Sequence, residues 1–332
     1  MSGIPYVCPL CKGPLEQLQD AYRCGHDARV FRVTLGIPDF RVFPDPYISF
    51  EDEDRKTARI VAEYTRRTFA ELLEFYYSIT PEVPRDLALK YMRNVFSGVD
   101  RGRAALAALQ TEIGQARPES VLEIGCGTGG FLIAAGGAYP HILGVDIALR
   151  WLIIARKRLE ESGQQATLVC ACAEHLPFPD GTFGLIAGSN VVEHTAGQLE
   201  LLREARRTLA PQGILFLAMP NRWGLMPEPH VNVWGVGFLP AAWRSPYVRL
   251  VRRIPYEHIR TLNYFDVRRL ISNAGFTRWR VELPAFDPAH AARLGRWEQA
   301  VVPVYHAVRR LPLVNWFIYL FGPIFHVICY RN

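Results

Sequence analysis

The hydrophobic positions along the chain follow two different periods. Between residues 51 and 113, apolar residues recur every three or four positions. This predicts a long helix over 51–78 and, beyond two prolines, a second helical stretch over 87–113. From residue 120 onward, short apolar runs alternate with helical patterns. The runs that predict strands lie at 121–124, 142–145, 166–171, 183–187 and 213–219. The clearest predicted helices between them lie at 148–162 and 196–209.

This alternation of strands and helices predicts an α/β fold with a parallel sheet that is covered on both faces. The alternation stops at residues 221–264, where three tryptophans, five prolines and several arginines indicate a long insertion. A helix over 265–274 and a strand over 277–283 are predicted to follow it. With 332 residues, 49% of them hydrophobic, the chain is long enough to bury a full-sized core.

Charge and cysteine content narrow the range of possible binding partners and cellular compartments. The formal net charge of +6 suits an acidic partner such as a phosphate, a lipid head group or RNA, but it is too small to identify one. The first residues lack the features of a signal peptide. Three of the seven cysteines fall within the first 24 residues. We therefore expect a cytoplasmic protein whose clustered cysteines bind metal rather than form disulfides.

The C-terminal segment 311–330 is apolar and nearly long enough to span a bilayer. Pro312, Asn315, Pro323 and His326 interrupt it. A buried or peripheral segment is therefore favoured over a spanning helix. Peripheral contact of this C-terminal region with the inner face of the membrane is the alternative that the pattern leaves open.

A glycine-rich turn after the first predicted strand of the α/β region is the clearest binding motif. Residues 121–130 read VLEIGCGTGG. Gly125, Gly127 and Gly130 satisfy the dinucleotide fingerprint, and Asp146 follows at about the ribose-binding offset of roughly 20 residues, so an NAD oxidoreductase is one interpretation. Glu123 lies inside the strand, where an acid suits a ligand with an ammonium and a sulfonium better than one with a pyrophosphate.

Five segments, in order, resemble the class I S-adenosylmethionine-dependent methyltransferases, and within them the branch of the ubiquinone and menaquinone biosynthesis enzymes. These segments read VLEIGCGTGG, GVDIALRWLIIAR, AEHLPFPDGTF, SNVVEH and LAPQGILFLAMPN. The resemblance implies a methyltransferase with S-adenosylmethionine as cofactor. It also implies a Rossmann-like, mostly parallel sheet of seven strands, in which 277–283 and the chain end near 325–330 form a final antiparallel hairpin.

The resemblance further implies a set of cofactor-binding residues. Gly125, Gly127 and Gly129 would let the turn pass beneath the methionine and ribose portions, and Glu123 would organise the loop. Asp146 would accept hydrogen bonds from both ribose hydroxyls, because a carboxylate offers two acceptor oxygens. The remaining contacts, to the adenine and the methionine end, would come from Ile147, Cys172, Ala173, Glu174 and Asn190.

Two positions depart from the family pattern. Cys172 and Gly184 stand where relatives commonly have aspartate. The first departure removes one contact to the adenine amine, and the second affects a structural carboxylate. Together they predict a weaker affinity for the cofactor.

Methyl transfer from a sulfonium is a direct displacement, so the enzyme mainly aligns the two reactants. A hydroxyl or amine acceptor also benefits from a base. His194, at the end of the SNVVEH segment, is the nearest candidate for a catalytic base, although a histidine here can instead orient a loop. The alternatives are His175, His230 and His258.

The N-terminal cysteines have the spacing of a zinc site. Cys8 and Cys11 form a C-x-x-C knuckle, and Cys24 and His26 supply two more ligands. Four such ligands satisfy tetrahedral zinc, whose role would be structural because the closed site leaves no open position. The gap between Cys24 and His26 is unusually short. Asp27 is therefore an alternative fourth ligand, and a module that has lost its metal is another. The module resembles the short zinc ribbons before some bacterial methyltransferases, including ribosomal RNA guanine methyltransferases.

These observations divide the chain into a zinc-ribbon-like module over 1–43, a helical linker or cap over 44–116 and a methyltransferase domain over 117–332. The domain contains a substrate-cap insertion at 221–264 and a C-terminal insertion at 284–322. We expect methylation of a small or lipid-linked acceptor, such as a glycan or a prenylated intermediate, because the aromatic, arginine-rich insertion suits an amphiphilic molecule. The alternatives are an RNA base methyltransferase, with nucleic acid as partner, and a non-catalytic cofactor-binding protein.

Overall fold

The computed structural model describes residues 3–284, 296–308 and 311–332. Its strands are β1 (Leu15–Gln17), β2 (Ala21–Cys24), β3 (Val30–Thr34), β4 (Ile37–Pro38), β5 (Ser120–Ile124), β6 (His141–Asp146), β7 (Thr167–Cys170), β8 (Phe183–Ser189), β9 (Leu209–Pro220), β10 (Arg278–Glu282) and β11 (Ile324–Tyr330). Its α-helices are α1 (Phe50–Glu63), α2 (Phe69–Ser78), α3 (Arg85–Phe96), α4 (Gly98–Ala108), α5 (Gln110–Ala116), α6 (Gly130–Ala135), α7 (Leu149–Glu161), α8 (Gln198–Thr208), α9 (Ala241–Arg252), α10 (Tyr264–Asn273), α11 (Arg296–Val308) and α12 (Pro312–Phe321).

A seven-stranded sheet in the order β10-β11-β9-β8-β5-β6-β7 forms the centre of the molecule. Strands β5 to β9 run parallel to one another, and β11 pairs antiparallel with both β9 and β10. The expected antiparallel pair at the end of the chain is therefore confirmed. From β5 the sheet grows in one direction through β6 and β7, and in the opposite direction through β8 and β9. Such a reversal of strand order opens a crevice at the carboxyl ends of the strands.

Both faces of this sheet are covered, which is why its central strands are mostly apolar. Leu122 and Ile124 of β5 belong to one buried cluster, whereas Val121 belongs to the other, on the opposite face. α7 packs on the second face, where Leu152 and Ile153 are fully buried. The two clusters fix the position of the turn that follows β5.

The predicted single helix over 51–78 is wrong, because the structure divides it into α1 and α2. Thr68 caps α2 and forms a capping box with Glu71: the Thr68 side chain accepts from the Glu71 amide, and the Glu71 carboxylate accepts from the Thr68 amide. The predicted stretch 87–113 is likewise not continuous, since α3, α4 and α5 share it.

The C-terminal segment 311–330 is divided between α12 and β11. Within the described residues, we find no helix with both the length and the apolar character that crossing a membrane requires. Part of the predicted insertion at 284–322, namely residues 285–295 and 309–310, lies outside the described residues.

The N-terminal strands β1 to β4 form a separate antiparallel sheet that docks on the edge of the large sheet. The Phe40 amide donates to the Cys170 carbonyl at the end of β7, at 2.7 Å. Lys12 forms a salt bridge of 2.7 Å with Glu204 on α8. These contacts place the cysteine knuckle beside the main domain.

Candidate functional site

A cavity of about 600 Å³ opens at the carboxyl ends of the parallel strands, where the strand order reverses. Eight of the site residues predicted from the sequence line it: Gly125, Gly127, Asp146, Ile147, Ala173, Glu174, Asn190 and His194. Glu123, Gly129 and Cys172 are not among its lining residues. The volume is within the usual range for sites that bind small molecules and cofactors, about 300–1,000 Å³.

The turn after β5 needs glycine because its backbone is left-handed. Gly125, Gly127 and Gly129 have φ angles of +72°, +47° and +72°. A Cβ on Gly125 would approach the Val191 side chain to 2.8 Å, so this glycine keeps the turn and the loop after β8 in contact. A Cβ on Gly127 would meet no heavy atom within 4 Å. The missing side chain of Gly127 therefore leaves room in the cavity itself.

Asp146, the last residue of β6, carries the carboxylate of the cavity. One of its oxygens accepts from the Gly127 amide at 2.8 Å and the other from the Ala148 amide at 2.9 Å. These bonds fix the plane of the carboxylate and leave each oxygen able to accept once more. Burial raises the pKa of Asp146 to about 6, although the two amide hydrogen bonds oppose the shift.

Glu123 lies beneath the turn and is almost fully buried. Burial, with the neighbouring Asp146 carboxylate, raises its pKa well above the usual range, against the charges of Arg101 and Arg158. Within the part of the chain that the structure describes, its Oε2 atom has no hydrogen-bond partner. A buried acceptor atom without a hydrogen-bond partner marks a place where a donor from a ligand can bind.

The segment after β7 supplies one wall of the cavity. Ala173 and Glu174 line it, and the Glu174 carboxylate accepts from the Gly197 amide at 3.1 Å, which holds the loop after β8. The Cys172 thiol contacts the Phe43 carbonyl at 3.6 Å. Cys172 therefore supports a neighbouring loop in the position where relatives commonly have an aspartate.

Asn190 occupies the strand-to-loop transition after β8. It lines the cavity with a φ of +51°, and its amide donates to the Ala218 carbonyl at 2.8 Å. Left-handed backbone is tolerated by asparagine better than by most residues. The adjacent Val191 packs on Gly125, so the two loops that border the cavity are held together.

A cluster of histidines borders the cavity beside this loop. The Tyr47 hydroxyl and His194 Nδ1 are 2.8 Å apart, and the His194 and His230 rings lie 4.7 Å apart. The His230 Nδ1 atom lies 2.5 Å from Glu228 Oε1, and its Nε2 atom lies 3.7 Å from Glu193 Oε1. The structure thus brings together His194 and His230, two of the four histidines considered from the sequence.

The pKa values in this histidine cluster are shifted in different directions. Burial, reinforced by nearby His230, lowers the pKa of His194 to about 3, so His194 is a neutral imidazole at pH 7. The pKa of His230 is raised: burial would lower it, but the hydrogen bond and charge of Glu228 outweigh that effect. Burial raises the pKa of Glu193 to about 7. His230 is therefore the more basic imidazole of the pair.

The loop of residues 43–47 also lines the cavity, from the linker region, although no pattern in the sequence indicates it. Arg150 on α7 anchors it: Arg150 Nη2 lies 2.8 Å from Asp45 Oδ2, and Nη1 contacts the Glu53 carboxylate. All three side chains are at least nine-tenths buried. No local motif marks this contact, because it joins residues about a hundred positions apart.

Among the residues that the structure describes, two groups of side chains could hold a metal ion. The sulfur atoms of Cys8, Cys11 and Cys24 lie within 4.8 Å of one another, and Cys11 Sγ lies 3.6 Å from both Cys24 Sγ and His26 Nδ1. Tetrahedral zinc with bonds of about 2.3 Å separates its sulfur ligands by about 3.8 Å. The second group, Glu193, His194 and His230, borders the cavity.

The sheet and the cavity together define a Rossmann-like α/β domain with the strand order of class I methyltransferases. The family described as "Methyltransferase domain" matches residues 122–217. This region is therefore a methyltransferase domain of the class I, S-adenosylmethionine-dependent type, as the resemblance implied.

Known methyltransferases are similar in sequence to part of the chain. It is 24% identical over 161 residues to ajmaline N-methyltransferase from Rauvolfia serpentina, covering 45% of this chain and 55% of that one. It is 29% identical over 109 residues to ubiquinone biosynthesis O-methyltransferase from Actinobacillus pleuropneumoniae, covering 31% and 47%. The chain thus spans about half the length of the curated relatives it matches.

A solved structure described as a possible histamine N-methyltransferase from Thermotoga maritima also resembles this chain. The TM-score is 0.41 and the sequence identity is 19%, with 69% of this chain and 91% of that chain covered.

Proposed function

We propose that this chain is an S-adenosylmethionine-dependent methyltransferase whose cofactor binds in the cavity at the ends of β5 and β6. The observation that carries the proposal is the geometry of Asp146. Two backbone amides hold its carboxylate at the cavity and leave one acceptor site on each oxygen. Two adjacent ribose hydroxyls are the natural donors for such a pair of acceptors.

Two further features fit the same cofactor. The open space above Gly127 admits a ligand in close contact with the backbone of the turn. Oε2 of Glu123, which lacks a partner among the described residues, suits an ammonium group, because a cationic donor stabilises the ionised form of a buried carboxylate.

The cofactor supplies a methyl group on a sulfonium, and the chain supplies alignment, shielding and a proton acceptor. The loop 43–47 covers one side of the cavity and keeps water from it. His194 lines the cavity and is the candidate base nearest to it. With its pKa lowered to about 3, His194 alone is a weak base. We therefore propose that His194 accepts the proton with support from His230, whose ring lies 4.7 Å away and which Glu228 holds in place.

The acceptor we favour is a small or lipid-linked molecule with an apolar portion. Aromatic side chains line part of the cavity: Tyr47, Tyr77, Tyr91 and Trp151. The names of two relatives, an ajmaline N-methyltransferase and a ubiquinone biosynthesis O-methyltransferase, indicate small acceptors. Aromatic walls with a few convergent polar groups are typical of pockets for such molecules.

Calorimetric titration with S-adenosylmethionine and S-adenosylhomocysteine tests the proposal. The wild-type protein should bind both at micromolar concentrations. Asp146→Ala should weaken binding by at least about 100-fold, because two hydrogen bonds to a charged group, each of about 1.5–3 kcal/mol, are lost. Asp180→Ala is the matched control, since Asp180 is an aspartate on the surface, 72% exposed. It should bind like the wild type.

Two outcomes would overturn the proposal. Folded wild-type protein that binds NADH, and neither methionine compound, would assign the cavity to a dinucleotide. Binding without transfer of a radiolabelled methyl group to any fraction of a cell extract would favour a non-catalytic role. The fraction that becomes labelled separates the acceptors: label in RNA would support the RNA methyltransferase alternative, and label in the lipid or small-molecule fraction would support ours.

We also propose that Cys8, Cys11, Cys24 and His26 hold a structural zinc ion. The sulfur separation of 3.6 Å between Cys11 and Cys24 supports this, as does the Gly13 amide, which lies 3.4 Å from Cys11 Sγ. A backbone amide that donates to a ligand atom is typical of the outer contacts that orient metal ligands.

A further inference from the structure

Helix α9, in the middle of the insertion, turns an apolar face to solvent. Trp243 is 67% exposed and Leu250 is 81% exposed, and residues seven positions apart lie on the same side of a helix. Val248, on the opposite side, is fully buried in the small core of the insertion. A helix of a globular protein ordinarily buries its large apolar side chains, so the exposed face of α9 requires an explanation.

Exposed aromatic residues extend this face beyond the helix. The Tyr247 hydroxyl donates to the Trp234 carbonyl at 3.1 Å, which places Trp234 beside α9. Trp234 is 60% exposed, and its ring lies 6.3 Å from that of Phe238, which is also exposed. We call Trp234, Phe238, Trp243 and Leu250 the aromatic face.

Positive charge is concentrated around the aromatic face. Residues 221–270 contain eight arginines, no lysine and three acidic residues, whereas the whole chain has a net charge of +6. On α9 itself, Arg252 contacts Asp86 and Arg244 donates to the Leu239 carbonyl, so these two are used within the protein. Arg249 and Arg253 are exposed near the end of the helix, where Arg249 forms only a surface ion pair of 3.3 Å with the exposed Glu257. Apolar residues flanked by arginine are typical of helices that lie in a membrane interface.

We propose that the aromatic face docks the protein on a bilayer surface that contains anionic lipids. Trp243 and Leu250 would enter the boundary between head groups and acyl chains, and Arg249 and Arg253 would contact lipid phosphates. A second protein is a poorer occupant. Helix α9 has 12 residues and is therefore about 18 Å long and about 10 Å wide, so the area of one of its faces is about 180 Å². A stable protein interface buries a much larger area, roughly 800 Å² per partner.

The position of α9 connects this surface to the cavity. The insertion contacts α3, where Lys90 donates to the Pro229 carbonyl at 2.6 Å and Tyr91 donates to the His230 carbonyl at 2.7 Å. Tyr91 and His194, the neighbour of His230, both line the cavity. The insertion therefore carries the docking helix and also contacts Tyr91 and His194, two residues of the cavity wall. Docking through α9 would bring an acceptor held in the bilayer towards the cavity. Docking itself does not depend on the proposed methyl transfer.

Vesicle sedimentation with the full chain tests the inference. The probes are vesicles of phosphatidylcholine alone and vesicles that also contain phosphatidylglycerol. The wild type should bind the anionic vesicles in preference, and added salt should weaken this binding. The double variant Trp243→Ser/Leu250→Ser should bind more than tenfold more weakly, because the apolar contact is lost. Arg249→Gln/Arg253→Gln should lose about tenfold or more on anionic vesicles, because two charges near the surface are removed.

Val30→Ser is the matched control, because Val30 is 54% exposed but lies in the N-terminal sheet. It should bind vesicles like the wild type. Circular dichroism and S-adenosylmethionine titration of each variant separate a docking defect from misfolding and from failure of the proposed function. Equal binding of wild type and both double variants to anionic vesicles would overturn the inference, and so would no binding by the wild type. Sedimentation velocity that shows a wild-type dimer, dissociated by Trp243→Ser/Leu250→Ser, would instead assign the aromatic face to a second copy of this chain.

Discussion

Replacing Gly127 with alanine places one methyl group where the cofactor is proposed to pass. No heavy atom lies within 4 Å of the position that the new Cβ would take, so the methyl group meets only the cavity. The backbone at Gly127 has a φ of +47°. Alanine in this left-handed region costs about 1–2 kcal/mol. The free energy of unfolding should fall by this amount, whether or not a ligand binds nearby.

Gly163 provides a matched control for this substitution. Its φ is +66°, and its Cβ would also meet no heavy atom within 4 Å. It follows the C-terminus of α7, whereas the N-terminus of that helix faces the cavity. Gly163→Ala should therefore carry the same backbone cost without touching the ligand. We expect only Gly127→Ala to lose affinity for S-adenosylmethionine, by about 100-fold or about 2.8 kcal/mol.

Urea unfolding followed by calorimetric titration distinguishes the two effects. The variants should unfold at similar urea concentrations, both slightly below the wild type. Wild-type affinity in Gly127→Ala would refute the reasoning that the cofactor passes directly over the turn. An equal loss of affinity in both variants would attribute the effect to general destabilisation rather than to contact.

Three further predictions follow from the buried charges and the cysteines. The pKa of Asp146 is raised to about 6 and the proposed ribose contact requires its ionised form, so affinity for S-adenosylmethionine should be constant above pH 6 and fall with decreasing pH below it, by up to tenfold per unit, in titrations across that range. Arg150→Met should lower the free energy of unfolding by about 3–5 kcal/mol, because it leaves the buried Glu53 carboxylate unpaired. Arg156→Met, at an exposed ion pair, should cost less than about 1 kcal/mol in the same denaturation assay. Cys11→Ser should abolish the one equivalent of zinc that elemental analysis is expected to find in the wild type, and an unchanged zinc content would exclude the knuckle as its site.

The main sheet was predictable because its signals are local. Each strand of the parallel region is a short apolar run, and each is followed by a helical pattern, so periodicity alone indicated the α/β class. The turn at Gly125–Gly129 was also recognisable, since only glycine tolerates its backbone there. The reversed last strand pair could not be derived from periodicity. It came from the resemblance to known methyltransferases.

The helical linker was predicted less well, for a physical reason. Apolar residues at helical spacing continue across the break between α1 and α2, so the period alone gives one helix. The break depends on capping: the Thr68 side chain and the Glu71 carboxylate satisfy backbone amides that a continuous helix would not leave free. Thr68 and Glu71 have the spacing of a capping box, which indicates the start of a helix. This indication is weaker than the hydrophobic period that continues across the break.

The contacts that close the cavity could not be predicted from the sequence, because they join distant parts of the chain. Tyr47 reaches His194 across 147 positions, and no motif marks either partner for the other. The same is true of His230, which comes from the insertion. What fixes such pairs is the packing of the linker on the domain, and that packing is visible only in three dimensions.

Arg150 shows how this packing is tied to the cofactor motif. It lies in the first turn of α7, the helix that begins directly after Asp146 and Ala148. The segment that orients the Asp146 carboxylate therefore also supplies the cation that anchors the loop 43–47. Because Asp45 and Arg150 are both buried, movement of the loop breaks their ion pair and leaves the buried Arg150 with Glu53 as its remaining partner. A substitution that displaces α7 should consequently disturb both the proposed ribose contact of Asp146 and the loop that covers the cavity. We therefore expect such variants to lose both features together.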